Sequence, residues 1–335
     1  MHSFKRLFLA FANVLILSIF YYLRRKSFID SVEYLPLNKT KGYVASEALE
    51  SFHLDKYNIC WKGQPLVDRR FMLSELEEFL RVYAHRPVGE NLRGTLFTHQ
   101  FSLWCAVRKL KPRHIVESGI HEGRGTWILR QAAPTAQLIL LDPSGAELAY
   151  RDKRNDTIYY KARDFKDFKQ VDWSRLNLDL ERSLVFFDDH QSAVRRTKEA
   201  YHLGFKYIMF DDNYIPSKYD NLSLKIACGL KLQFYSPRNL QYKDNFGKER
   251  RPFKPADFKL MDELLDKVIV SYMEFPLPWS DDDVHNNTLV KNNNKDRRYS
   301  MENPNQFFFH PEQGFNNINL VELDTAHKRQ TVKAN

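Results

Sequence analysis

The feature that most limits what this chain can fold into is a succession of short apolar segments between residues 114 and 212, several of them ending in a carboxylate. His114 to Glu117 is followed by LILLD at 138–142, IYYKA at 158–162, SLVFFDD at 183–189 and FKYIMFDD at 205–212. These runs are apolar almost throughout, so they read as strands buried on both faces. Helix-period segments fill the intervals, TWILRQAA at 126–133 and a stretch at 191–203. Strand and helix in turn predict an α/β domain: a Rossmann-like, doubly wound, mostly parallel sheet with helices on both faces.

The domain is expected over residues 95–325. Before it, residues 27–94 read as a stem and helical lead-in, with a helix at 74–85 that starts from a capping box of Ser74 and Glu77. A second helix is expected at 98–109, stopped by Pro112. After the repeat come a helix at 257–265, a strand at 267–275 and a last strand at 319–324. The Asn-rich stretch 280–305 reads as a long surface loop, Phe307 to Phe309 as core, and residues 326–335 as a tail.

Residues 1–26 read as a membrane anchor. Leu7 to Leu23 is a 17-residue apolar run, a helix of about 25 Å. Tyr21 and Tyr22 sit where an interfacial belt would be, ahead of Arg24, Arg25 and Lys26. These residues, with Lys5 and Arg6, hold five of the nine net positive charges. The rest are dispersed among acids, which argues against nucleic acid as a partner, since tracking phosphates needs clustered cations. Sequons at Asn38, Asn155, Asn221 and Asn286 point to a single-pass ER or Golgi protein with its domain in the lumen. Cys60, Cys105 and Cys228 contain no C-x-x-C pair, which argues against a cysteine zinc site and a disulfide framework. One disulfide with a leftover thiol is open; three buried thiols is the simpler expectation.

The turn after the first strand carries Gly119, Gly123 and Gly125. This spacing is neither the G-x-G-x-x-G of dinucleotide folds nor a phosphate-binding P-loop. It combines an acid at the strand end, Glu117, a turn open to close backbone approach, and a second acid, Asp142, 25 residues on. An acid at the end of the second strand can accept both hydroxyls of a ribose.

VESGIHEGRGTWIL followed by LLDPS resembles motifs I and II of the class I S-adenosylmethionine-dependent methyltransferases, in the branch with E-x-G-x-x-x-G-x-[ST]. The resemblance implies that Glu117, Gly119, Gly123 and Asp142 bind S-adenosylmethionine, with Asp164 beside the adenine.

The next two strands close on FFDDHQ at 186–191 and FDDNY at 210–214, so acids crowd the edge where open α/β sheets bind ligands. Carboxylates this close repel unless a cation or proton intervenes, and oxygen donors suit a divalent cation, Mg²⁺ first. The pair is similar to that of metal-dependent O-methyltransferases and the cephalosporin-hydroxylase-like group. By that resemblance Asp189, Asp212 and Asn213 hold the metal. Asp188 and Asp211 are open between a place in this acidic cluster and a structural role, Asp188 as cap of the following helix and Asp211 as partner of a nearby Arg or Lys. The lysine base of catechol methyltransferases is replaced by Ser192, which leaves His190 as the candidate base. Arg195 and Arg196 read as a solvated face. The expected function is metal-assisted O-methylation of a hydroxylated small molecule or glycan. A non-catalytic scaffold and a different chemistry on the same fold are the alternatives.

Overall fold

In the computed structural model the described residues are 62–87, 95, 97–214, 222–232, 241–244, 249–252, 254–278 and 317–325. The expected anchor at 1–26, the stem up to residue 61, the loop at 280–305, Phe307 to Phe309 and the tail at 326–335 lie outside them. Among the described residues no helix is long and apolar enough to cross a membrane.

Two helices lead in, α1 (Arg69–Tyr83) and α2 (Phe97–Leu110). The repeat then gives β1 (His114–Ser118), α3 (Arg124–Ala132), β2 (Gln137–Asp142), β3 (Ile158–Lys161), β4 (Ser183–Phe187), α4 (Ala193–Leu203) and β5 (Tyr207–Phe210). Next are α5 (Leu224–Lys231), the two-stranded β6 (Gln241–Asp244) and β7 (Glu249–Pro252), and α6 (Pro255–Glu263), which runs on into a π turn at Leu264–Val268. The strands β8 (Ile269–Glu274) and β9 (Asn319–Leu323) complete the main sheet.

Seven strands lie in the order β3-β2-β1-β4-β5-β9-β8. The first five are parallel, and β9 and β8 are antiparallel to their neighbours. This is the doubly wound, mostly parallel α/β fold expected from the alternation of strands and helices. The chain winds outward from β1 to β3 and then returns to lay β4 on the other side of β1. The crevice between the carboxyl ends of β1 and β4 is therefore the switch point, where such sheets bind ligands.

Alternate strand residues feed two cores. Ile115, Leu138, Leu140, Leu184 and Phe186 pack with α1, α2 and α3, while Val116, Ile139, Leu141, Val185 and Phe187 pack with α4, α5 and α6. Helix α1, upstream of the expected domain start, is part of the first core: Phe79 is fully buried against Phe97, Phe101 and Trp104.

Three local expectations are corrected. Helix α1 begins five residues before Ser74; Asp68 is its cap, accepting from the Phe71 amide at 2.9 Å, and the Ser74 hydroxyl donates back to the Phe71 carbonyl at 2.8 Å. Cys228 is disulfide-bonded, leaving Cys105 as a free, buried thiol whose pKa burial pushes up. Arg196, read as solvated, is 1% exposed.

Candidate functional site

The turn from β1 to α3 is built around close backbone contacts. Gly119 has φ +96°, and a Cβ there would lie 2.1 Å from the Asp188 carbonyl oxygen at the end of β4. Gly123, with φ +91°, leads into α3, and its Cβ would meet the Tyr150 carbonyl at 2.2 Å. Both glycines are thus required by the packing of the turn itself. Asp142, closing β2, holds that turn in place: Oδ2 accepts from the amides of Ile120 and His121 at 2.8 and 2.9 Å, and Oδ1 from Ser144 at 2.6 Å. A carboxylate has about four acceptor directions, so three amide bonds leave room for one further hydroxyl.

Glu117 lies beneath the turn, 1% exposed, and accepts from the Thr126 hydroxyl at 2.5 Å. A Cβ on Gly125 would meet its carboxylate at 2.3 Å, so this glycine makes the space for it. Burial pushes the Glu117 pKa up to about 8, and nearby Asp142 adds to the shift. The structure gives Glu117 a supporting place under the turn. Asp164 sits exposed in the 3-10 turn after β3.

The four aspartates at the ends of β4 and β5 divide into two roles. Asp188, His190 and Asp212 bring one ligand atom each to within 4.8 Å of one another. His190 takes a left-handed conformation, φ +54°, and its Nδ1 bonds Asp212 Oδ2. That bond and the Asp212 charge raise the His190 pKa to about 9. At neutral pH the ring is therefore protonated in this state, so it serves as a base only after giving up that proton. Asp188 has its pKa raised by burial and by Asp211 and Asp212, and accepts from Thr95 Oγ1 at 3.2 Å. Burial and the same acids raise the Tyr214 phenol.

The other two aspartates face elsewhere. Asp189, expected among the metal ligands, is bound by Arg196 at 2.7 and 2.9 Å and by the Ser118 hydroxyl at 2.7 Å. Asp211 is paired with buried His99 at 2.8 Å. Burial works against charge on His99, but Asp211 and Asp212 outweigh it and raise its pKa. Asn213, the third expected ligand, is fully buried: its amide donates to the Tyr272 hydroxyl at 2.7 Å and its carbonyl accepts from the Lys225 amide at 3.1 Å. Ser192, where the catechol enzymes have lysine, caps α4 by accepting from the Arg195 amide at 3.3 Å.

Sequence reasoning thus brings Asp212 and His190 to the cluster, leaves Asp188 undecided and misses Thr95 and His99. Thr95 and His99 come from the lead-in to α2 and its first turn, about 90–110 residues upstream of the acids they meet, and no local spacing reports such a contact.

No family model matches the chain, and none of the curated proteins compared with it matches. Solved structures do. A candidate O-methyltransferase of Klebsiella pneumoniae aligns over 60% of this chain and 92% of its own, at 18% identity and TM-score 0.32. An O-methyltransferase of Bacillus cereus in complex with SAH aligns over 42% and 66%, at 20% identity and TM-score 0.26. The SAH-bound Podospora anserina methyltransferase PaMTH1 aligns over 69% and 88%, at 14% identity and TM-score 0.26. Likeness of this degree carries no weight for the site, which stands on the residues described above.

Proposed function

We propose that the chain is an S-adenosylmethionine-dependent O-methyltransferase whose acceptor hydroxyl is held by a divalent cation. The observation that carries this reading is the contact between Gly119 and the Asp188 carbonyl. It sets the glycine turn of the cofactor motif directly against the Asp188–His190–Asp212 cluster, at the sheet's switch point.

The residues fit both groups. Asp142 and the turn at 119–123 would border the cofactor, with Asp164 at the outer edge and Glu117 as support beneath. Two carboxylates and an imidazole suit Mn²⁺ better than the all-oxygen set that favours Mg²⁺. When bound, the sulfonium supplies an electrophilic methyl group and the cation lowers the pKa of the acceptor hydroxyl. The chain's own part is to hold the cation through Asp188, Asp212 and His190, once that ring is deprotonated, and to orient the hydroxyl toward the glycine turn. A hydroxylated small molecule is the proposed acceptor class.

The disulfide at Cys228 is of the kind that persists in oxidising compartments, and it supports the proposed lumenal location of the domain.

Mn²⁺ binding to the full-length protein, followed by electron paramagnetic resonance, tests the cation site. Asp188→Asn and Asp212→Asn are expected to weaken binding at least about tenfold. Absence of Mn²⁺ binding by the folded wild-type protein would remove the cation from the proposal.

A further inference from the structure

Strands β4 and β5 each end in a pair of aspartates, and in each pair one member is held away from the cluster by a buried side chain. Arg196 takes Asp189 and His99 takes Asp211, which leaves Asp188 and Asp212 to face His190.

Arg196 is the hub of the first selection. Its guanidinium binds Asp189 Oδ2 at 2.7 and 2.9 Å, Asp167 at 2.7 and 3.0 Å, and Glu199 at 2.8 Å. Phe168 and Phe187 face it at 5.9 and 5.6 Å. A buried ionic hub is weak evidence for stability, since apolar side chains of the same volume often stabilise as much. What an apolar side chain cannot do is fix a carboxylate. Asp189, so fixed, also accepts from Ser118 Oγ at the end of β1 and from the Gln191 amide at 3.2 Å. Between Asp189 and Gln191 stands His190 in its left-handed conformation, which is unfavourable for a non-glycine residue and persists only where its neighbours are held.

We propose that Arg196 is a positioning residue: by pinning Asp189 it sets the Asp188–His190 turn and so presents Asp188 and His190 side by side. The inference rests on reading this edge as the cation and acceptor end of the site. Among the described residues Arg196 binds Asp189, Asp167 and Glu199 and none of the three cluster residues, so it acts through Asp189.

The test uses full-length Arg196→Lys, which keeps the charge but loses the planar fork that serves three carboxylates. Two readouts separate positioning from stability alone: hydrogen exchange of the Gln191 amide, which reports Asp189 directly, and Mn²⁺ affinity. Exchange is expected to quicken and Mn²⁺ binding to weaken, each about tenfold or more. A folded Arg196→Lys protein with both unchanged overturns the inference, whatever its melting temperature. Should that variant fail to fold, Asp189→Asn keeps a side-chain oxygen for the Gln191 amide but loses the charge that Arg196 binds, and faster Gln191 exchange is expected; unchanged exchange overturns the inference. If the wild-type protein binds no Mn²⁺, the cation reading falls, and exchange alone decides whether Arg196 sets the turn.

Discussion

Gly119 and Asp188 meet so closely that the first β-carbon of any other residue at position 119 would overlap the Asp188 carbonyl oxygen at 2.1 Å. The contact joins the turn after β1 to the acid cluster after β4, and φ +96° at Gly119 adds a second reason for glycine. Gly119→Ala is expected to cost about 3 kcal/mol, combining a left-handed penalty with a forced backbone shift. Thermal unfolding measures that loss, and Mn²⁺ and S-adenosylmethionine binding should fall together because one backbone contact serves both regions.

Glu117 predicts a pH dependence of stability with an unusual sign. Burial raises its pKa from 4.5 to about 8, so between those values the folded protein keeps a proton that the unfolded chain releases. Its contribution is complete below about pH 4.5 and is lost as pH rises toward 8. Denaturant unfolding at pH 5.5–8.5 should show wild-type stability falling by a few kcal/mol, with a flatter profile for Glu117→Gln. Equal slopes would exclude Glu117 as the source.

Arg130 and Asp152 form a buried ion pair at 2.9 Å, completed by Thr157 and by the carbonyls of Ala133, Pro134 and Ala136 around the guanidinium. Burial opposes charge on Asp152, but the Arg130 and Thr157 bonds outweigh it and lower its pKa. Its contribution is present above the ordinary aspartate range and is lost as pH falls through it. Asp152→Asn should destabilise by roughly 3 kcal/mol at neutral pH, because a buried guanidinium loses its counter-charge. Chemical denaturation measures the difference.

Cys228 is disulfide-bonded and Cys105 is free, and Cys60 is the remaining cysteine of the sequence. Thiol labelling of the unfolded, unreduced protein should therefore find one reactive thiol, and three after reduction. Loss of the bridge in Cys228→Ser is expected to cost about 2–4 kcal/mol.

The parallel strands were legible because a strand buried on both faces must be apolar along its length, and Ile115 to Val116, Leu138 to Leu141 and Leu184 to Phe187 are, each of the first two closed by an acid. Helix α5 and the pair β6 and β7 were not foreseen; α5 is only eight residues long, too short for a clear period. The glycine turn and Asp142 were found from their spacing. The choice of Asp189 over Asp188 was beyond local pattern, since both follow one strand and the turn at His190 decides which faces the cluster. That turn is held by Arg196, which beside Arg195 has the look of a solvated helix face. His99 presents the same difficulty: it stands on a helix 112 residues from Asp211.

Calorimetric titration of S-adenosylmethionine into the full-length protein, beside Asp142→Ala, tests the central claim most directly. Binding in the micromolar range by the wild-type protein, abolished or weakened at least about tenfold in the variant, is the result predicted. A folded wild-type protein that takes up no S-adenosylmethionine, with or without Mn²⁺, would contradict the methyltransferase assignment.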